Sequence, residues 1–171
     1  MSLTRTPAQN DNSVVLWLSC QNNHILLGSD LEKTADEATG WNAIINSPLR
    51  PKEKACLFKI PHHGSITGHS EDVWAHMVDV NAICLFTENT RGNYSIPTKD
   101  DIKRIKKKTS NLFCTSLPRH KNVKRESTVE RTLRGMVKER KILGGDIGQV
   151  QVRMSENGAV RVAVHASATG L

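Results

Sequence analysis

Asp30 closes the apolar run "HILLGSD" (24–30), and His62 and His63 follow a second run, "CLFKIP" (56–61). A carboxylate oxygen and an imidazole nitrogen together suit a divalent ion such as zinc, manganese or iron. Their placing matters as much as their type. A side chain delivered just past the C-terminal end of a buried strand stands at the rim of the sheet, where layered α/β folds bind ligands. Gly28 and Gly64 occupy the same two places and let the backbone approach closely. Each residue also has a plainer use. An Asp after a strand commonly caps a turn or a helix, and Ser65 and Ser70 can cap helices. His69 and His76 read as surface or helix residues, and His24, His120 and His165 show no partner pattern.

The elements that must position these residues are legible in the apolar pattern. "SVVLWLSC" (13–20) and "HILLGSD" (24–30), joined by "QNN", read as a hairpin. Thr34 with Glu37 three residues on suggests a capping box and a helix over 34–47, interrupted by Gly40 and ended by "PLRP". "ACLFKI" (55–60) is a buried-strand candidate, "SEDVWAHMV" (70–78) a helix with acidic residues in its first turn, and "NAICLFT" (81–87) a strand. A turn-rich loop (88–98), a helix (98–109) and a short strand, "NLFCTS" (111–116), follow. Strands with continuous apolar runs alternating with helices signal an α/β layer. Beyond it, "VERTLRGMVKERKIL" (129–143) reads as a helix. Residues 148–166 alternate cleanly around "ENG", an Asn-Gly hairpin signal.

Composition narrows the classes. The 171 residues can bury a real core, and no apolar run approaches the roughly 20 residues of a bilayer span. Cys20, Cys56, Cys84 and Cys114 occur singly, without zinc-finger spacing, each in or beside a strand-like run. They read as buried free thiols in a reducing compartment, which points to the cytoplasm. The net charge of +7 is concentrated in 99–108 and 119–141. Such a bias permits attraction to nucleic acid, and equally describes a solvated helix face.

Three segments, "SVVLWLSCQNNHILLGSDLE", "FKIPHHGSITGHS" and "TENTRGNYSIPTKDDIKRIKKKTSNLFCTS", run in an order that resembles the metallo-β-lactamase superfamily. The similarity is nearest to the branch found at the C-terminus of DNA-uptake competence channel proteins. It covers roughly residues 13–116, with Lys-x-x-His-His-Gly-Ser as its most specific element. The resemblance implies an αββα layered α/β fold, of which this chain carries only the C-terminal half, followed by a C-terminal helix and β-hairpin. It divides the chain into a loose lead-in or expression scar (1–12), the metallo-β-lactamase-like half (13–118) and a basic helix-and-hairpin extension (119–171). It makes Asp30 a metal-binding carboxylate and one of His62 and His63 an imidazole ligand, with the other beside substrate. Glu32, Lys59, Ser65, Asn93 and Tyr94 then support the site or the substrate.

Two departures limit what is carried over. The superfamily's His-x-His-x-Asp-His signature is absent from these 171 residues, and the loop triplet Gly-His-Pro is replaced around Ser95 and Ile96. The expectation is the C-terminal part of a metal-dependent hydrolase acting on a phosphodiester or ester. It would use zinc or manganese that this chain coordinates incompletely, and would be inactive without an N-terminal half or partner chain. Self-association is expected of an uncovered sheet. The alternatives are a non-catalytic interaction module and a basic nucleic-acid-binding domain in which Asp30 and His62 are structural.

Overall fold

The computed structural model describes residue 10 and residues 13–91, 94–116, 126–136, 148–155 and 159–171. It is a mixed α/β structure. Six strands form the main sheet in the order β1-β2-β3-β4-β7-β10. These are β1 (Leu16–Cys20), β2 (Asn23–Leu27), β3 (Ala55–Lys59), β4 (Val78–Phe86), β7 (Leu112–Cys114) and β10 (Thr169–Gly170). β2, β3, β4 and β7 are mutually parallel, and β1 and β10 close the two edges antiparallel. Helices α1 (Gly40–Asn46), α2 (Glu71–His76) and α3 (Lys99–Lys106) lie between successive parallel strands in the chain. No helix among the described residues is long and apolar enough to cross a membrane.

This topology decides which face is buried. The parallel strands are added in one direction, and crossovers between parallel strands are right-handed, so successive helices fall on the same face. The buried cluster bears this out. It joins Trp41 of α1, Val73 of α2 and Ile105 of α3 to Leu26, Phe58, Cys84 and Leu112, which lie in one row across four strands. Phe58 meets Trp74 edge-on, with ring centroids 5.2 Å apart.

Because strand side chains alternate, the neighbouring rows point to the opposite face. They hold Leu16, Leu18, Ile25, Leu27, Leu57, Ile83, Leu85 and Phe113, with Lys59 between Leu27 and Leu85. Only Leu57 of these is buried, and Leu16 and Leu18 are 47% and 46% exposed. The apolar runs suggest strands covered on both sides; among the described residues one side is well covered.

Several elements differ from expectation. The helix expected over 34–47 is only α1, with Thr39 at its N-cap. The residues before it are held in turns by side chains. Thr34 Oγ1 bonds the Asp36 carbonyl and Thr39 Oγ1, and Asp36 Oδ1 accepts from the Ala38 N–H. Such local bonds compete with helix. The loop over 88–98 contains a small hairpin, β5 (Asn89–Arg91) with β6 (Tyr94–Ile96). Helix α4 spans Ser127–Met136, and the rest of the helix expected to 143 lies outside the described residues. The terminal hairpin is present as β8 (Gln149–Met154) and β9 (Val160–His165), with its Asn-Gly turn outside the described residues. Residues 1–9 and 11–12 of the expected lead-in, 117–118 of the expected half, and 119–125 and 137–147 of the expected extension likewise lie outside the described residues. Cys84 and Cys114 are buried free thiols as expected, whereas Cys20 is exposed because it ends edge strand β1.

Candidate functional site

The ends of β2 and β3 stay paired beyond the strands themselves. The Gly28 N–H donates to the Lys59 carbonyl (3.0 Å), and the His62 N–H to the Ser29 carbonyl (2.9 Å). A Cβ at Gly28 would stand 2.9 Å from Pro61 Cβ, so glycine is what lets the two loops close on each other. Past Pro61 the backbone enters the left-handed region three times running, with φ of 45° at His62, 53° at His63 and 81° at Gly64. Ser29, across the gap, has φ 50°. Non-glycine residues in this region cost on the order of 1–3 kcal/mol each and gather at functional sites.

That turn splits the histidine pair. His63 Nε2 lies 3.9 Å from Asp30 Oδ1, while His63 Nδ1 lies 3.0 Å from the Thr87 carbonyl oxygen. The Thr87 hydroxyl also lies 3.2 Å from Nδ1, but the carbonyl is the nearer partner and only accepts; a hydrogen bond to it puts the proton on Nδ1 and leaves the lone pair of neutral His63 on Nε2, facing Asp30. His62 turns the other way. Its Nδ1 is 2.9 Å from Glu32 Oε1 and 2.8 Å from Thr67 Oγ1, and Asn10 Nδ2 donates to the same Glu32 oxygen at 2.8 Å. The pairs are therefore Asp30 with His63 and Glu32 with His62.

Lys59 ends β3 beside this pair. Burial lowers its pKa from the ordinary lysine value, against the raising influence of the Asp30 and Cys114 charges. The turn is braced from α3, where Arg104 Nη2 donates to the Gly64 carbonyl (2.7 Å) and Nη1 to Asp101 Oδ1 (2.5 Å). Asp101 in turn closes a capping box with Thr98 at the start of α3. Burial pushes the Asp101 carboxyl up, but its bonds from Arg104 and Thr98 outweigh that and hold it below the usual range. Burial raises the thiols of Cys84 to about 12 and Cys114 to about 11, so neither is a ready nucleophile at neutral pH.

Of the other expected residues, Ser65 is buried and its Oγ accepts from the Thr67 N–H, capping the 66–68 turn. Ser70 precedes α2 but makes no side-chain cap bond. Tyr94 lies in β6, with its side chain outside the described atoms, and Asn93 lies outside the described residues. His69 is not a surface residue: its side chain is 9% exposed and Nε2 meets Glu71 at 3.0 Å. Sequence reasoning missed Thr87, Thr67, Arg104 and Asn10. Thr87 meets His63 most closely through its carbonyl, which carries no residue-type signal, with its hydroxyl at 3.2 Å, and Arg104 is indistinguishable by pattern from the lysines around it.

The donor set fits a divalent ion only in part. Two donors each about 2.1 Å from one ion lie at most about 4.2 Å apart, so Asp30 and His63 fit as two positions of a coordination sphere. They do not complete one, since no group of three or more His, Cys, Asp or Glu side chains among the described residues is arranged to hold an ion. In comparison with known proteins, the chain matches no protein-family model, no curated protein and no solved structure.

Proposed function

We propose that the chain is the C-terminal part of a metal-dependent hydrolase of the metallo-β-lactamase superfamily. In this reading it acts on a phosphodiester or ester bond and is inactive without a complementary N-terminal half. The observation that carries the reading is the Asp30–His63 pair at 3.9 Å, with His63 held in the metal-competent tautomer by the Thr87 carbonyl. A backbone acceptor on the far nitrogen is how proteins orient imidazole ligands. The apolar rows through Leu27, Leu57 and Leu85 support it too, because they are the face a second sheet would cover.

Asp30 and His63 would share a zinc or manganese ion with ligands from the other half. When bound, such an ion supplies Lewis-acid polarisation of an ester or phosphodiester oxygen. The chain's own residues do the rest. The Thr87 carbonyl keeps the His63 lone pair on Nε2, Lys59 offers a cation for an anionic substrate, and Glu32 with Thr67 holds His62 beside the pair. The four cysteines are all free, which fits a reducing compartment, in our reading the cytoplasm.

The test is zinc titration of the purified chain with a chelator-stripped control, followed by phosphodiesterase assay with and without a His-x-His-x-Asp-His half. Weak binding lost in Asp30→Ala, with hydrolysis only when both halves are present, is expected. Tight binding indifferent to Asp30→Ala, or robust hydrolysis by the chain alone, would overturn the proposal.

A further inference from the structure

The β8–β9 hairpin carries a feature the metal site does not use. Its register sets Arg153 directly opposite Arg161. Both are exposed, and neither has a carboxylate ion-pair partner among the described residues. Like charges placed directly across an antiparallel pair destabilise it, so this pair works against its own hairpin.

The rest of that face fits an anion. Alternation puts Gln149, Gln151, Ala163 and His165 beside the two arginines, with no acidic residue among them. The opposite face is apolar, with Val150, Val152, Met154, Val160, Val162 and Val164 in register. Met154 Sδ stands 4.0 Å from Cys56 Sγ of β3, which sets that end of the apolar side against the body, while Val160 and Val164 farther along it are exposed and Arg153 and Arg161 face solvent.

We propose that the β8–β9 hairpin is a nucleic-acid-binding ribbon, with Arg153 and Arg161 on the phosphodiester backbone and Gln149 and Gln151 toward base edges. Three observations select this partner. The paired guanidiniums match phosphate geometry. A two-stranded ribbon is one of the two elements the major groove of B-DNA admits, and Arg and Gln are side chains that read bases there. The face also lacks the aromatic or apolar anchors that an interfacial membrane segment uses. The ribbon lies outside the segment that resembles the hydrolase superfamily, so its binding does not depend on the metal reading.

Fluorescence anisotropy of a labelled 20-base-pair duplex, titrated with the full chain in EDTA, separates binding from any metal chemistry. Arg161→Glu should weaken binding about tenfold or more, and Arg153→Ala with Arg161→Ala should flatten the salt dependence by about one unit of slope per arginine. Lys106→Glu on α3 makes the same charge change elsewhere and should weaken binding much less. Arg161→Glu also places opposite charges across the hairpin, so its melting temperature should hold or rise while binding falls, which excludes unfolding as the cause. Equal losses for Arg161→Glu and Lys106→Glu would overturn the proposal by reducing it to net charge. Binding to anionic vesicles in place of the duplex, or no binding to the duplex, would overturn it as well.

Discussion

His63 and Thr87 are joined by a 3.0 Å hydrogen bond from the imidazole Nδ1 to the main-chain carbonyl, and that bond gives the two adjacent histidines different roles. The carbonyl belongs to the loop following β4, so the strand next to β3 sets the tautomer of a side chain on the β3 loop. His63→Ala should therefore bring zinc or manganese binding below detection by calorimetry. His62→Ala should leave it measurable, because His62 engages Glu32 and Thr67. Equal losses from the two substitutions would contradict the division of roles.

Arg104→Gln should destabilise the chain by roughly 2–4 kcal/mol in urea unfolding. The change removes a charge-assisted bond to the Gly64 carbonyl and leaves the buried carboxylate of Asp101 without its cation. A loss within about 0.5 kcal/mol, the usual surface value, would show that the brace carries little.

Gly40→Ala should be at least as damaging. A Cβ there would stand 2.3 Å from the Glu32 carbonyl oxygen, at a backbone φ of 59°. Main chain cannot swing aside as a flexible side chain does, so the loop bearing Glu32 must move. We expect a loss of about 2 kcal/mol or more by urea or thermal unfolding.

Stability should fall as the solution is acidified from neutral. Burial lowers the pKa of His69 below its ordinary 6.5, outweighing the raising effect of Glu71. Hydrogen bonds from His69 and Lys108 lower Glu71 from 4.5 to about 2. For both groups the unfolded chain binds protons more readily than the folded one. Their stabilisation is present above the ordinary values and is lost as pH drops through 6.5 and then toward 2. Glu71 is exposed, so its share should shrink in salt. Melting temperatures across pH 7 to 3 at two ionic strengths test this, with Glu71→Gln expected to flatten the lower part of the curve.

The apolar sheet face should drive self-association when the chain is alone. Leu16→Lys with Leu18→Lys places two charges on its most exposed rows and should lower the apparent mass in light scattering. A stable, dilute wild-type monomer that binds no hydrophobic dye would rule this out.

Much of the layer was legible because burial writes itself into residue type. "ACLFKI" and "AICLF" fall in strands β3 and β4, and the helix expected over 98–109 is α3, but β4 begins at Val78, where the helix over 70–78 was expected to continue. The boundaries of α1 were not, since Thr34 has the residue type of a helix cap but spends its hydroxyl on a turn. At the site, Asp30 and the histidine pair stood out by their position after strands. Which histidine faces Asp30 was unreadable, because it is set by three left-handed residues in a row and by a carbonyl from β4's loop. The short β5–β6 pairing escaped for a related reason. Three-residue strands are too brief to show alternation against the turn residues around them.

The left-handed turn at His62, His63 and Gly64 also limits how this gene can drift. Outside glycine, the residues that enter that backbone region most readily are asparagine, aspartate and histidine itself. Of the amino acids one nucleotide away from a histidine codon, only asparagine and aspartate belong to that group. Tyrosine, arginine, glutamine, leucine and proline would each have to hold a conformation they avoid. Both surviving neighbours are shorter than histidine, and their δ atoms reach only where Nδ1 stood, not where Nε2 faces Asp30. Single-step mutation at His63 can therefore keep the loop only by giving up the reach of Nε2, and most other changes must strain the loop as well.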